Sequence, residues 1–184
     1  MLFVISAPSG AGKTTIIHEI FKQMPELRFS VSATTRKLRN GEVNGEDYYF
    51  ISHDEFEKKI DNNEFIEWEN VHGELYGTLK KEIESSINNS VNTILDVDVK
   101  GALSIKKLYP DAVTIFIDAP KKEIEQRLKG RKTESEEQLN KRIQRMEWEL
   151  GEKDKFDNVV LNKTNPGGIK IAAEKIIKII KNKS

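Results

Sequence analysis

The sequence predicts an α/β fold in which a parallel sheet of five strands is flanked by helices. Short apolar runs of strand length alternate along the chain with amphipathic stretches of helical length, as such a fold requires. The apolar runs at residues 93–97 and 113–117 are almost uninterrupted. Because the strands of a parallel sheet are covered on both faces, unbroken apolar runs are typical of them.

Five segments of each kind fit this pattern. The predicted strands are residues 2–6, 28–32, 92–97, 112–117 and 158–161. The predicted helices are residues 14–24, 101–108, 121–129, 138–151 and 168–180. The last helix repeats Ile and Ala at helical spacing from Ile169 to Ile180, which predicts one apolar face against the sheet.

Two regions interrupt the alternation. Residues 34–90 contain short strand-like segments around a helix whose start at Ser52 resembles a capping box, which predicts a small inserted lobe. Residues 130–140 are polar and highly charged between two helices, as expected of a mobile lid. We therefore predict a single domain over residues 1–184, whose core comprises residues 1–33, 91–129 and 141–184.

The composition narrows the class of protein. A chain of 184 residues with 37% hydrophobic and 33% charged residues is long enough to bury a sizeable core. The formal net charge of +0 disfavours nucleic acids and membrane surfaces as partners, and the lack of cysteine excludes disulfides and cysteine-ligated zinc. The sequence contains no recognisable signal segment or membrane-spanning run, so we expect a cytoplasmic protein.

The strongest functional signal joins the first predicted strand to the first predicted helix. We call residues 7–14 the phosphate loop; they are Ala7, Pro8, Ser9, Gly10, Ala11, Gly12, Lys13 and Thr14. The two glycines let backbone N–H groups converge on an anion, and the helix start adds its positive dipole end. In such a loop the lysine reaches the β- and γ-phosphates and the threonine hydroxyl binds Mg²⁺.

This segment therefore predicts a nucleoside triphosphate site. Ala7 stands where the usual pattern has its first glycine, which the loop tolerates if Ala7 keeps a negative φ. The alternative is an ordinary glycine-containing turn between a strand and a helix.

The arginines are clustered, unlike the lysines. Arg36 and Arg39 lie at the start of the inserted lobe. A second group surrounds the predicted lid and consists of Arg127, Arg131, Arg142 and Arg145. Guanidinium suits bidentate contacts with phosphate, so the two groups indicate two phosphate-bearing substrates. The alternative is a set of surface ion pairs, for which Arg127 and Arg145 have glutamates four residues away on their own helices.

Longer segments resemble the signature of guanylate kinases. The segment SVSATTRKLRNGEVNGEDY at residues 30–48 is the most selective, and NEFIEW at 63–68, YGT at 76–78 and ILDVDVKG at 94–101 follow in order. The resemblance extends from Val4 to about Asn162. It implies the phosphate-loop kinase fold and the reaction of ATP with GMP to give ADP and GDP, with Mg²⁺ as cofactor.

The resemblance also assigns roles to individual residues. It assigns the GMP phosphate to Arg36, Arg39, Tyr48 and Tyr76, and the guanine to Ser32, Glu67, Thr78 and Asp98. It assigns the adenine of ATP to Arg131 and Asn162, and the charge on the transferred group to Lys13, Arg36, Arg131 and Arg142. Guanine chemistry agrees, because a carboxylate accepts the N1–H and N2–H₂ donors as a pair, and hydroxyls can donate to O6.

Asp96 and Asp98 end the central apolar strand, where a doubly wound sheet binds its ligand. One of them is expected to hold Mg²⁺ opposite Thr14 and the other to face the guanine. We assign Asp96 to the metal; the sequence leaves that division open.

Two other classes of protein share part of this pattern. Non-catalytic guanylate-kinase-like modules bind phosphorylated peptides but usually lose the phosphate loop, which is present here. Another phosphate-loop enzyme, such as a different nucleotide kinase or a GTPase, is the second alternative, although residues 162–165 lack the aspartate of the GTPase guanine motif. We expect a monomer or homodimer whose lobe and lid close over both nucleotides.

Overall fold

The computed structural model describes residues 1–71, 73–130, 136–163 and 167–183. Its strands are β1 Leu2–Ser6, β2 Arg28–Ser30, β3 Ser32–Thr34, β4 Tyr48–Phe50, β5 Phe65–Val71, β6 Glu74–Leu79, β7 Thr93–Asp96, β8 Val113–Asp118 and β9 Asn158–Leu161. Its helices are α1 Lys13–Gln23, α2 His53–Asp61, α3 Lys80–Asn88, α4 Val99–Leu108, α5 Lys121–Lys129, α6 Glu136–Gly151 and α7 Gly168–Lys183.

The predicted five-stranded parallel sheet is confirmed. Its strands pair in the order β2-β7-β1-β8-β9, all in parallel. The central strand β1 is buried along its whole length. Phe3 and Ile5 pack on one face with α1 and α7, and Leu2 and Val4 pack on the other with α4. Burial on both faces is the reason that β1 is an unbroken apolar run.

A second sheet of four strands is formed within residues 32–79, so it begins two residues before the predicted inserted region. Its order is β4-β3-β6-β5, and its pairs are antiparallel apart from β3 with β4. Phe56 of α2 stacks on Phe65 of β5 with ring centroids 4.4 Å apart, within a separate apolar cluster. The single strand predicted at residues 28–32 is wrong, because β2 pairs in the core sheet and β3 pairs in the second sheet. Local apolar patterning does not show such a change of partner.

The predicted helices are present with shifted ends. α7 buries Ala172, Ala173, Ile176, Ile177 and Ile180, whereas Ile169, assigned to the same face, is 38% exposed. α6 begins at Glu136, so the last residues of the predicted lid are helical. Residues 131–135 of that lid lie outside the described residues.

The parallel sheet brings the functional segments to one edge. Because all core strands point the same way, the carboxyl ends of β1, β7 and β8 meet there, and α1, α4 and α5 begin nearby. β5 of the second sheet contacts α4, which brings the inserted region to the same edge. No helix in the described part of the chain is long and apolar enough to cross a membrane.

Candidate active site

The phosphate loop connects the end of β1 to the start of α1. Gly10 and Gly12 have φ angles of +91° and +93°, in the left-handed region that favours glycine. Gly12 is the N-terminal cap of α1, and a Cβ on it would lie 2.7 Å from Nδ2 of Asn162. Ala7 has no positive φ, so the condition for an alanine at this position is met.

Asn162 holds the backbone of the phosphate loop through a hydrogen bond. It follows β9, its side chain is buried, and its Nδ2 donates a 2.7 Å hydrogen bond to the carbonyl oxygen of Ala11. The residue also lines the large cleft beside the loop, which has a volume of about 860 Å³. The structure shows Asn162 bonded to the loop backbone, and its contact with adenine stays a prediction.

Two arginines hold the outer part of the loop. Nη2 of Arg142 donates a 2.8 Å hydrogen bond to Oγ of Ser9, and Nη1 of Arg127 donates one of 2.7 Å to the carbonyl oxygen of Gly10. Arg127 also lies 3.8 Å from Glu123, the ion pair considered as its alternative role. Both arginines line the large cleft. Arg131, predicted to be catalytic, lies outside the described residues.

Lys13 lies between the loop and the end of β7. Its ammonium group contacts the Asp96 carboxylate and donates a 2.7 Å hydrogen bond to the carbonyl oxygen of Val97. The lysine is thus held at the carboxyl edge of the sheet, where doubly wound folds bind ligands.

A smaller pocket of about 150 Å³ also borders Lys13. We call it the acidic pocket, because its lining includes the carboxylate residues Glu67, Glu69, Asp96 and Asp98. Its lining also includes three further residues predicted to bind GMP, which are Ser32, Tyr48 and Tyr76. The structure therefore brings together five of the eight predicted GMP residues in this pocket, counting Glu67 and Asp98 with these three.

Glu67 is fixed by neighbours in β6 and α4. Oγ1 of Thr78 donates a 2.5 Å hydrogen bond to Oε1 of Glu67, and a Cβ on Gly101 would lie 2.6 Å from Oε2. Because a hydroxyl has one proton, Thr78 cannot donate to guanine O6 while it makes this bond. Burial raises the pKa of Glu67 to about 7; the Thr78 hydrogen bond opposes that rise and the charge of Asp98 adds to it.

Arg36 already holds a carboxylate in this structure. Its two terminal nitrogens donate to Oε1 and Oε2 of Glu42 at 2.8 and 2.9 Å, and these bonds lower the pKa of Glu42. The guanidinium lies 5.5 Å from the centre of the Tyr48 ring. The same bidentate geometry suits phosphate. Arg39, the second predicted phosphate ligand of this lobe, lines the large cleft.

Asp98 caps α4 and contacts an arginine of α6. Its Oδ1 accepts a 2.8 Å hydrogen bond from the Gly101 N–H, and its Oδ2 accepts one of 2.7 Å from Nη2 of Arg145. Arg145 also pairs with Glu149 at 3.0 Å, as its alternative role predicts, and with Glu69 at 3.4 Å. Burial and the neighbouring Glu69 raise the pKa of Asp98 to about 6.

Comparison with known proteins identifies the family. The sequence model described as guanylate kinase matches residues 1–180, nearly the whole chain. The chain belongs to the guanylate kinase family. The guanylate kinase of Thermotoga maritima is 43% identical over 182 residues, which are 98% of this chain and 86% of that relative. The guanylate kinase of Chlorobium luteolum is 44% identical over 183 residues, which are 98% of this chain and 91% of that relative.

A solved structure agrees with this assignment. The crystal structure of guanylate kinase from Anaplasma phagocytophilum matches with a TM-score of 0.76 and 29% sequence identity. The match covers 99% of this chain and 85% of the other. The resemblance to guanylate kinases and the predicted phosphate-loop kinase fold are therefore confirmed.

The guanylate kinase family acts on ATP, and the residues at the sheet edge fit the Mg²⁺ that accompanies this nucleotide. Thr14 is exposed on the first turn of α1, and Asp96 ends β7. Such oxygen donors suit Mg²⁺, which keeps waters and phosphate oxygens among its ligands. The described residues form no group of three or more acidic or histidine side chains that could hold a metal without a nucleotide.

Sequence reasoning does not reveal one contact and one residue of this site. The sequence places Arg145 in the second arginine cluster with an ion pair to Glu149 as its alternative role; that pair exists, but the contact of Arg145 with Asp98 joins residues 47 positions apart. Glu69 was not singled out. Its one sequence signal is its place two residues after Glu67 on β5, which puts both acids on the same face of the strand.

Proposed function

We infer that this chain transfers the γ-phosphoryl group of ATP to the phosphate of GMP and so forms ADP and GDP. The observation that carries this inference is that Lys13 borders two different sites, the phosphate loop in the large cleft and the acidic pocket. The loop suits a triphosphate, and the pocket suits a base with paired N–H donors. Because ATP and GMP are cytoplasmic metabolites, we place the reaction in the cytoplasm.

On the donor side, residues 7–14 would surround the phosphates of ATP with backbone N–H groups. Arg127 and Arg142 already contact this loop and add positive charge beside it. Arg131 and Asn162 remain the proposed neighbours of the adenine. Mg²⁺, when held by Thr14 and Asp96, would neutralise charge on the phosphate oxygens.

On the acceptor side, Glu67 and Asp98 would accept the N1–H and N2–H₂ donors of guanine. Ser32 and Thr78 are the two hydroxyl residues proposed to donate to O6. Ser32 lines the pocket and can do so, whereas the Thr78 hydroxyl donates its proton to Glu67. Thr78 would therefore act in guanine recognition by orienting Glu67.

The GMP phosphate would bind to Arg36, Arg39, Tyr48 and Tyr76. Arg36 would exchange the carboxylate of Glu42 for the phosphate and keep its bidentate geometry. Burial raises the pKa of Tyr48, so this phenol keeps its proton and can donate it to an anion.

The chemical step needs positioning and charge neutralisation rather than covalent catalysis. An oxygen of the GMP phosphate attacks the γ-phosphorus, the bond from that phosphorus to the bridging oxygen breaks, and ADP leaves with the electron pair. Lys13 would exchange Asp96 and Val97 for the phosphate oxygens on which charge develops. No general base is required, since the GMP phosphate is largely ionised at neutral pH.

A coupled assay of ADP release tests this function. Purified protein is given ATP and Mg²⁺ with GMP, AMP, UMP or CMP in separate reactions, and a matched set contains EDTA. We expect rapid turnover with GMP, far slower turnover with the other monophosphates, and loss of turnover with EDTA. No ADP release with GMP, or equal rates with AMP, would show that the assignment is wrong. Tight GMP binding without ADP release would favour the non-catalytic module.

A further inference from the structure

One arginine connects carboxylates from three elements at the acidic pocket. Arg145 of α6 contacts Asp98 at the start of α4, Glu69 of β5 and Glu149 of its own helix. We propose that Arg145 is a positioning residue for base selection, because it fixes the Asp98 carboxylate so that it accepts the 2-amino group of guanine. This inference rests on the proposed function, in which Asp98 reads that edge of the base.

The contacts of Asp98 define how its carboxylate is oriented. The Gly101 N–H occupies Oδ1 at 2.8 Å and the Arg145 guanidinium occupies Oδ2 at 2.7 Å. One bond on each oxygen fixes the plane of the group, and each carboxylate oxygen keeps a second lone pair. Asp98 lines the acidic pocket, so the lone pairs that Gly101, Arg145 and the neighbouring Glu69 leave free are available to a ligand there. With the Gly101 bond alone, the carboxylate could rotate about its Cβ–Cγ bond.

Arg145 also balances charge between two neighbouring acids. Glu69 Oε2 lies 3.4 Å from the same Nη2 atom that Asp98 Oδ2 approaches to 2.7 Å. Lys100 pairs with the other oxygen of Glu69, Oε1, at 2.8 Å. Arg145 is therefore the cation that lies beside Oε2 of Glu69 and Oδ2 of Asp98. Because like charges in a partly buried pocket repel, removal of Arg145 would favour movement of Asp98 away from Glu69.

The neighbouring turn of α6 serves the other substrate site. Arg142 lies three residues before Arg145 and contacts Ser9 of the phosphate loop. Arg145 also lines the large cleft, but its ion pairs with Asp98 and Glu69 reach residues that line the acidic pocket. A substitution of Arg145 therefore removes contacts with acceptor-side carboxylates and keeps the hydrogen bond from Arg142 to Ser9 of the loop. This separation allows an effect on GMP binding to be distinguished from an effect on the transfer step.

The experiment compares GMP with IMP, which carries hydrogen in place of the 2-amino group. kcat and KM are measured for both nucleotides with the unchanged enzyme, Arg145→Ala and Arg145→Lys. Lys141→Ala is the control, since Lys141 is an exposed cation of the same helix that pairs with Glu137. We expect Arg145→Ala to lower kcat/KM for GMP on the order of tenfold through KM, with little change for IMP. Arg145→Lys should retain part of the preference, and Lys141→Ala all of it.

Each outcome has a defined meaning. If the ratio of kcat/KM for GMP to kcat/KM for IMP is the same in Arg145→Ala as in the unchanged enzyme, the positioning role is overturned. An unchanged enzyme that does not prefer GMP over IMP would instead refute the assignment of Asp98 to guanine, whatever Arg145 does. Glu149 is buried beside Arg145, so thermal unfolding checks that Arg145→Ala folds; if it does not, Arg145→Gln takes its place in the test. The GMP to IMP ratio of Arg145→Gln then decides the proposal in the same way.

Discussion

Oγ1 of Thr78 on β6 donates a 2.5 Å hydrogen bond to Oε1 of Glu67 on the adjacent strand β5. The two residues are directly paired in the antiparallel register, so the sheet itself places the hydroxyl against the carboxylate. Oε2 lies against the first turn of α4, beside Gly101. Glu67 is therefore oriented by a strand on one side and a helix on the other before any nucleotide binds.

Replacement of Glu67 by Gln should change base selection. The substitution keeps the size of the side chain but replaces one acceptor oxygen with an NH₂ donor, which opposes the N–H donors of guanine. We expect kcat/KM for GMP to fall by at least roughly 10²-fold, with AMP, whose N1 is an acceptor, gaining relative to GMP. Glu64→Gln is the control, because Glu64 is a partly exposed acid next to β5 that pairs with Lys59 outside the acidic pocket. Equal losses for GMP and AMP in Glu67→Gln would indicate a structural role.

GMP binding should strengthen as pH rises through about 7. Burial raises the pKa of Glu67 to about 7, so the acid is largely protonated at pH 6 in the empty protein and largely ionised at pH 8. Below pH 7 the ionised fraction, and with it the affinity, falls by up to about tenfold per unit. Calorimetric Kd values between pH 6 and 8 measure this.

The GMP phosphate also titrates, near pH 6, so the Glu67→Gln variant provides the reference. Its GMP affinity should lack the part of the pH dependence that Glu67 contributes. Identical pH profiles for the two proteins would contradict the assignment.

The raised pKa of Glu67 also predicts a change in the stability of the empty protein. The folded protein binds the Glu67 proton more tightly than the unfolded chain, in which the pKa of this glutamate is near 4.5. The contribution of Glu67 to the free energy of unfolding is therefore greatest at low pH and declines as pH rises from about 4.5 to about 7. Urea unfolding at several pH values should show a smaller decline in Glu67→Gln than in the unchanged protein. A decline of the same size in both would contradict the prediction.

Gly101→Ala should weaken GMP binding. The added Cβ would lie 2.6 Å from Oε2 of Glu67 and 3.0 Å from Oδ1 of Asp98, so both acids must move. We expect the Kd for GMP to rise on the order of tenfold, because a misplaced carboxylate loses a charge-assisted hydrogen bond. Gly151→Ala is the control, since nothing lies within 4 Å of a Cβ there. Unchanged GMP affinity in Gly101→Ala would show that the two acids are not held as described.

Lys13→Ala should abolish most turnover while GMP still binds. The ammonium group acts on charge that develops during transfer, and such a group is typically worth about 3–4 kcal/mol of the barrier. kcat should fall by roughly 10²–10³-fold, with a small change in the Kd for GMP. Lys22→Ala, an exposed lysine on the same helix, is the matched control. Near-normal kcat in Lys13→Ala would refute the proposed donor site.

The local elements of the core were predictable from the sequence because their causes are local. β1 and β8 are covered on both faces and are therefore unbroken apolar runs. The turn between β1 and α1 requires glycine at φ angles near +90°, and glycine occupies those positions. The division of residues 28–34 between two sheets was not predictable, because strand partners are chosen by distant segments.

The candidate site divides in the same way. The phosphate loop is contiguous, so its residues by themselves indicated an anion site, and the order of the longer segments indicated the guanylate kinase family. The acidic pocket is assembled from β3, β4, β5, β6 and the end of β7, and its geometry depends on how those elements meet. Only the tertiary structure could commit the Thr78 proton to Glu67 and place Arg145 on Asp98. The physical reason is that hydrogen bonds and ion pairs form between atoms about 3 Å apart in space. Arg145 and Asp98 are 47 positions apart along the chain, so no local sequence pattern indicates their contact.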